Sequence, residues 1–248
     1  VAELAETEQI RPETAANHPH LQIAGIIGSI DNDMFGSDVT TGSDTALHRI
    51  VEATDAISST AASHQRIFVV EVMGRHCGYL ALMGAIAGGA DWVFVPENPP
   101  DVDDWEDKMC EVLRLGREAG RRDIIVVMAE GATDRHGKPI SSTYIKEILE
   151  DRLGEDTRIT VLGHVQRGGA PSAFDRNLST LLGAAAVDHL LAAAEHEKPF
   201  VMGIRGNKIT RTPLDEALEK THAVAKASRN GDYAQAMALR GSSFNESF

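Results

Sequence analysis

Leu21-Gln22-Ile23-Ala24-Gly25-Ile26-Ile27 runs directly into Gly28-Ser29-Ile30-Asp31-Asn32-Asp33. The first seven residues are mostly apolar and read as one buried strand. The next six form a loop, and a helical pattern opens near Gly42. Open α/β sheets collect their ligands at the carboxyl ends of their strands, in loops of this kind. Two carboxylates placed two residues apart there have three available roles. Such a group takes a proton from a hydroxyl, holds a metal ion, or caps the helix that follows.

The same alternation recurs downstream. Short apolar runs at Ile67–Val72, Trp92–Val95, Ile124–Met128, Ile159–Leu162 and Phe200–Ile204 read as strands buried on both faces. Helical segments separate them at Gly42–Ser63, Cys77–Ala87, Asp103–Gly116, Ser141–Leu153 and Ala173 to about Ala194, with two more at 214–228 and 231–240. In Gly42–Ser63, Ala46, Leu47, Ile50, Ala53 and Ile57 recur at helical spacing, with Ser43 or Asp44 available as N-cap. The expected fold is α/β, Rossmann-like, with mostly parallel strands and helices on both sides. Pro96–Pro100 and Thr133–Pro139 read as surface turns.

The formal net charge of -13 argues against non-specific binding to nucleic acid or to an anionic membrane surface. A few local arginines would still suffice for a phosphate ligand. Cys77 and Cys110 lie far apart, no signal-peptide pattern opens the sequence, and no apolar run approaches membrane-spanning length, so a reducing, cytoplasmic setting is expected. The polar stretch 1–18 reads as a helix or linker from the middle of something longer.

If the strands are parallel, their following loops should share one sheet edge. That edge would carry Ser29, Asp31 and Asp33, then Met73-Gly74-Arg75-His76-Cys77-Gly78, Glu130-Gly131, and Gly163-His164-Val165-Gln166-Arg167-Gly168-Gly169. Arginine beside glycine suits a phosphate, because the guanidinium fork binds its oxygens and the bare backbone approaches closely. Carboxylates without a matching cation suit sugar hydroxyls or proton abstraction. Taken singly, each residue also has an ordinary role, as a turn residue, a cap or a solvated charge. Their joint placement points to a phosphorylated, hydroxyl-rich substrate. No zinc spacing, G-x-S-x-G elbow, P-loop or G-x-G-x-x-G fingerprint is present.

These residues resemble the 6-phosphofructokinase family, through Gly28–Asp33, Ser63-His-Gln-Arg66, Glu71-Val-Met-Gly-Arg75, Ala129-Glu-Gly131 and Val161–Gly169. The resemblance runs from about Leu21 to about Phe244. Met34–Asp38, Cys77–Leu80 and Ala170–Asp175 resemble the N-terminal, catalytic half of a duplicated eukaryotic enzyme, most of all a fungal one. It implies phosphoryl transfer from ATP to the 1-hydroxyl of fructose 6-phosphate, with Mg2+. Asp31 would be the general base, Ser29 and Arg75 would act on the transferring group, and Asp33 would help hold magnesium. Ile30, Met73, Gly74, Glu130, Val165 and Gln166 would contact substrate. His164 and Arg167 would bind the 6-phosphate, joined by Arg66 and Arg158 from a neighbouring subunit, which makes other phosphofructokinase subunits the expected partners. In the regulatory half of duplicated relatives a Ser typically stands at the Asp31 position, so Asp here implies a competent half.

The resemblance also sets the expected organisation. Residues 1–40 would complete an ATP-binding lobe and 41–165 would form the sugar-phosphate lobe. Residues 166–215 would return to the first lobe, and 216–248 would hold C-terminal helices and the start of a linker. The family's Gly-Gly-Asp-Gly-Ser loop, with its magnesium-binding Asp, is absent, so a fragment without appreciable activity of its own is expected. Two other readings stand beside this one: a non-catalytic module that binds a sugar phosphate, and a pyrophosphate-dependent relative.

Overall fold

A computed structural model describes residues 2–194 and 197–240; the expected linker start and the end of the resemblance near Phe244 lie outside them. The polar lead-in forms two short helices, α1 (Ala2–Glu6) and α2 (Pro12–Asn17). There follow β1 (Ala24–Ile26), α3 (Ser43–His64), β2 (Ile67–Val72), α4 (Tyr79–Gly88), β3 (Trp92–Phe94), α5 (Trp105–Glu118) and β4 (Ile124–Ala129). After α6 (Ser142–Leu153) and β5 (Thr157–Val161) comes a single 3-10 turn, Gly163–Arg167. The chain continues through α7 (Ala173–Ala192), β6 (Phe200–Arg205), β7 (Lys208–Pro213), α8 (Leu214–Arg229) and α9 (Tyr233–Arg240).

The strands form two sheets. The larger is parallel throughout, in the order β3-β4-β2-β5. Its central strands alternate between two cores, as the period of two requires. Ile124, Val126 and Met128 pack under α5 and α6 with Trp105, Met109, Ile145 and Leu149, while Ile125, Val127 and Ala129 pack under α3 and α4 with Ile50, Leu80 and Ala81. Every residue of β4 is buried, as expected of a strand covered on both faces.

The smaller sheet, β1-β6-β7, overturns two expectations. Lys208–Pro213 was not expected to be a strand, yet it pairs antiparallel with β6. Gly206 (φ 53°) and Asn207 (φ 61°) make the two left-handed residues of the hairpin turn, which suits Gly-Asn. β1, in turn, is shorter than the expected Leu21–Ile27 and is not buried on both faces. Leu21, Ile23 and Ile26 are 62%, 44% and 45% exposed, and only Ile27 is buried. The cause is position, because among the described residues β1 is an edge strand whose one partner is β6. β5 is an edge too, and its Val161 is exposed.

Two further expectations are corrected. Pro96–Pro100 is not simply a surface turn, because Pro96 and Glu97 are buried. The Glu97 carboxylate accepts the Gly78 N–H (2.7 Å) at the start of α4. Nor is α3 capped by Ser43 or Asp44: its N-cap is Gly42, left-handed at φ 102° and without a side chain to offer. Ser43 donates instead to the Thr40 carbonyl (2.8 Å).

Candidate active site

β1 delivers the loop 28–41, which its own polar groups organise. Thr41 bonds back to the strand through Thr41 N to Ile27 O and Ser29 N to Thr41 O, both 3.1 Å. Asn32, left-handed at φ 53°, is fixed by its amide, which donates to Asp38 O (3.0 Å) and accepts from Thr40 N (2.8 Å). Left-handed backbone is tolerated by Asn because its short side chain bonds locally. The Ser29 hydroxyl donates to Asp33 Oδ1 at 2.7 Å. Ile30 packs on the α3–α4 core, so Asp31 is left facing the cleft.

β2 and β4 deliver the second half. After β2, Gly74 (φ 142°) and Arg75 (φ 52°) turn the chain sharply. Both of their N–H groups donate to Glu130 Oε1, at 3.3 and 2.9 Å. Gly131 permits this approach, because a Cβ there would lie 1.8 Å from the Arg75 carbonyl oxygen. Met73 N–H donates to Gln166 Oε1 (3.3 Å) from the 3-10 turn. Gln166 is 1% exposed and braces the loop, while His164, Val165 and Arg167 on either side of it are exposed.

At the centre stands Asp31, 5% exposed. Its Oδ2 lies 3.8 Å from Arg75 Nε, and its buried Oδ1 has no hydrogen-bond partner. Burial raises its carboxyl above the usual range, Asp33 adds to the rise, Arg75 and Arg167 oppose it, and Glu130 adds a little more. A carboxylate stripped of water and short of donors is a proton acceptor in waiting. Charged groups of all four loops therefore act on the Asp31 carboxyl, with Arg75 in ion-pair range.

The structure corrects the expectation of a single sheet edge. Asp31 comes from the carboxyl end of β1 in the small sheet, while Arg75, Glu130 and Arg167 follow β2, β4 and β5 of the large one. The candidate site is thus built from the loops of two sheets. Arg66 and Arg158 are not in it. Arg66 precedes β2 and Arg158 is paired with Phe68, so both lie at the amino ends, held by Asp156 Oδ2 at 2.6 and 3.0 Å. About five residues of strand, some 16 Å, separate that end from the cleft.

Among the described residues, no group of three or more His, Cys, Asp or Glu is placed to hold a metal. Mg2+ usually takes only one or two carboxylates and draws its other ligands from water and substrate phosphates. The Asp31/Asp33 loop, with its unpartnered carboxylate oxygen, fits such a partial set. One feature went unread in the sequence, namely that the buried Asp175 binds the start of α3. Its only sequence signal was Gly42, an N-cap that needs a cap from elsewhere.

A family model described as phosphofructokinase matches residues 3–190. The chain is 55% identical over 246 residues to the "ATP-dependent 6-phosphofructokinase, liver type" of Rattus norvegicus and 53% identical to the muscle type of Equus caballus. It spans about a third of the length of these curated relatives, 31% in each case. Among solved structures, the phosphofructokinase of Saccharomyces cerevisiae superposes with a TM-score of 0.94 at 47% identity, covering 99% of this chain and 32% of that one. A pyrophosphate-dependent phosphofructokinase from Marinobacter aquaeolei shares the fold, with a TM-score of 0.65 over 83% of this chain and 55% of that one, at 24% identity.

Proposed function

The chain belongs to the phosphofructokinase family, and from that premise we propose that its parent protein transfers a phosphoryl group from ATP to the 1-hydroxyl of fructose 6-phosphate. The choice of ATP over pyrophosphate follows the relatives at 52–55% identity, whose names specify ATP. The observation that carries the reading is the state of Asp31: buried, raised in pKa and faced by arginines.

Asp31 takes the proton from the sugar's 1-hydroxyl as that oxygen attacks the γ-phosphorus. The new O–P bond forms, the bond to the β-phosphate oxygen breaks, and ADP leaves with its electron pair. Arg75, on a rigid turn 3.8 Å from Asp31, offsets the charge that builds on the transferring group. Ser29, held by Asp33, steadies the same group. Asp33 would help hold Mg2+, whose charge would offset that of the phosphates. His164 and Arg167 take the 6-phosphate, while Met73, Gly74 and Glu130 line the sugar.

Arg66 and Arg158 complete another subunit's site in this reading, which fits their place at the far end of the sheet. The partners are then other phosphofructokinase subunits. Residues 1–40 and 166–215 form the nucleotide lobe, since β1 and β6 pair, and 41–165 form the sugar lobe around β2–β5. Among the described residues no helix is long and apolar enough to cross a membrane, and we place the parent in the cytoplasm.

Asp31→Ser in the full-length protein tests the reading. Turnover is expected to fall by about 10²–10⁴-fold, the usual worth of a general base, with sugar affinity held within a few-fold. Near-normal turnover would remove Asp31 from the role.

A further inference from the structure

Two of the four loops lead into helices that begin beside one another. α3 begins where the Asp31 loop ends, and α7 begins where the His164–Arg167 segment ends. Each helix start presents N–H groups with no partner in its own helix. At α3 the N-cap Gly42 has no side chain to offer, and although the Ser43 N–H donates to the Thr40 carbonyl (3.1 Å), the Gly42 and Thr45 N–H groups look elsewhere.

Asp175, 2% exposed on the first turn of α7, satisfies them from across the interface. Its Oδ1 accepts the Gly42 N–H and its Oδ2 the Thr45 N–H, each at 2.8 Å. Oδ2 also accepts the Thr45 hydroxyl. The return contacts come from α3. The Thr45 hydroxyl oxygen accepts the Ser172 N–H (3.0 Å), and Ser172 Oγ donates to Asp44 Oδ2 (2.5 Å). Ser172 is itself the N-cap of α7, accepting the Asp175 N–H at 3.2 Å. Each helix start is thus held by side chains of the other.

This knot sits next to the Asp31 loop on one side and two residues from Ala170 on the other. Thr41, next to Gly42, is bonded to Ile27 and Ser29. On the other side Gly169 and Ala170 lie against the guanidinium of Arg49, which donates to the Ala170 carbonyl at 3.4 Å. Shifting α3 against α7 would therefore move the base relative to the phosphate-binding turn.

We propose that Asp175 and Thr45 are positioning residues that fix the Asp31 loop and the His164–Arg167 turn in mutual register. The proposal rests on the function read above. A positioning role, unlike a purely structural one, acts on the cleft rather than on the amount of folded protein.

The test is made in the full-length protein with Thr45→Val, Thr45→Ser and Asp175→Asn. Thr45→Val removes the hydroxyl that joins both helix starts, and Thr45→Ser keeps it. For Thr45→Val and Asp175→Asn we expect faster amide exchange in both 28–42 and 163–170. The KM for fructose 6-phosphate should rise about tenfold per folded enzyme, with Thr45→Ser close to the parent. A lowered Tm with KM and kcat per folded molecule unchanged, and exchange altered at the helix ends alone, would overturn the proposal. If the parent itself fails to bind fructose 6-phosphate, the function reading fails instead, and loosened exchange in both segments would still support the coupling.

Discussion

Arg75 Nε lies 3.8 Å from Asp31 Oδ2, and the two side chains differ sharply in exposure, at 70% and 8%. The guanidinium is largely in water while the carboxylate is almost out of it. Such a pair is a poor stabiliser, since solvent screens the cation and burial penalises the anion. It is a sound arrangement for chemistry, because the arginine can follow charge as it moves to an incoming phosphate.

The raised pKa of Asp31 carries a sign for stability. The folded chain holds that proton more tightly than the unfolded chain does. This group therefore favours the fold below its ordinary pKa, and that contribution is lost as pH rises through the raised value. At neutral pH the buried anion beside Asp33 is a cost. Asp31→Asn should then raise stability at pH 7 by about 1 kcal/mol, roughly 2–4 °C in Tm, while turnover collapses. Thermal denaturation at pH 7 and pH 4 checks it, with the gain shrinking at the lower pH. A lower Tm for the Asn variant at pH 7 would contradict the burial account.

In the parent enzyme the acidic limb of kcat/KM should lie above the ordinary carboxylate range, for the same reason. Adding negative charge beside Asp31 pushes the limb further up, and removing it brings the limb down. Asp33→Asn should therefore shift the limb to lower pH, a direction that a rate-versus-pH series reads directly.

Gly131→Ala should be severe for a backbone reason. Its Cβ would fall 1.8 Å from the Arg75 carbonyl oxygen, and backbone on both sides leaves no flexible chain end to yield. The Arg75 turn must move, so a loss of about 2 kcal/mol or more in stability is expected, with turnover falling beyond that. Glu130→Ala frees the Gly74 and Arg75 N–H groups instead, and should lower turnover with a smaller change in Tm.

The proposal that Arg66 completes a neighbour's site is testable by complementation. Its ion pair with Asp156 is partly exposed, so Arg66→Ala should cost the fold less than about 1 kcal/mol. Neither Arg66→Ala nor Asp31→Ser enzyme should turn over well alone. Co-assembled, some sites would pair an intact Asp31 with an intact Arg66 and recover activity. No recovery in verified mixed oligomers would place Arg66 outside a neighbour's site.

The local patterns were legible because they report neighbours along the chain. β2 begins and ends at Ile67 and Val72 as the apolar run requires, and Ser141 caps α6 through Tyr144 N. The four loops that carry glycine, arginine and carboxylate were likewise visible as following strands. Hidden features depended on partners far away in sequence. Nothing within Leu21–Ile27 says that the strand lies at an edge, and nothing in Gly42 names Asp175 as its cap. Lys208–Pro213 was missed because it alternates weakly, although Gly206-Asn207 was the readable sign. The position of Arg66 and Arg158 at the amino ends of their strands agrees with the expectation that they do not serve this chain's own Asp31, and the register of β2 with β5 adds that they lie side by side.

The parallel pairing of β1 with β6 also sets an order of events in the chain's own folding. Strands β2 to β5 and their helices lie in one continuous stretch and can condense as soon as that stretch exists. Among the described residues, Ala24 meets its ladder partner Phe200 only once the chain has passed beyond that stretch. Loop-closure entropy delays such distant pairings. The pairing that ties the Asp31 loop to β6 is thus expected to form after the stretch bearing Arg75, Glu130 and Arg167 has condensed.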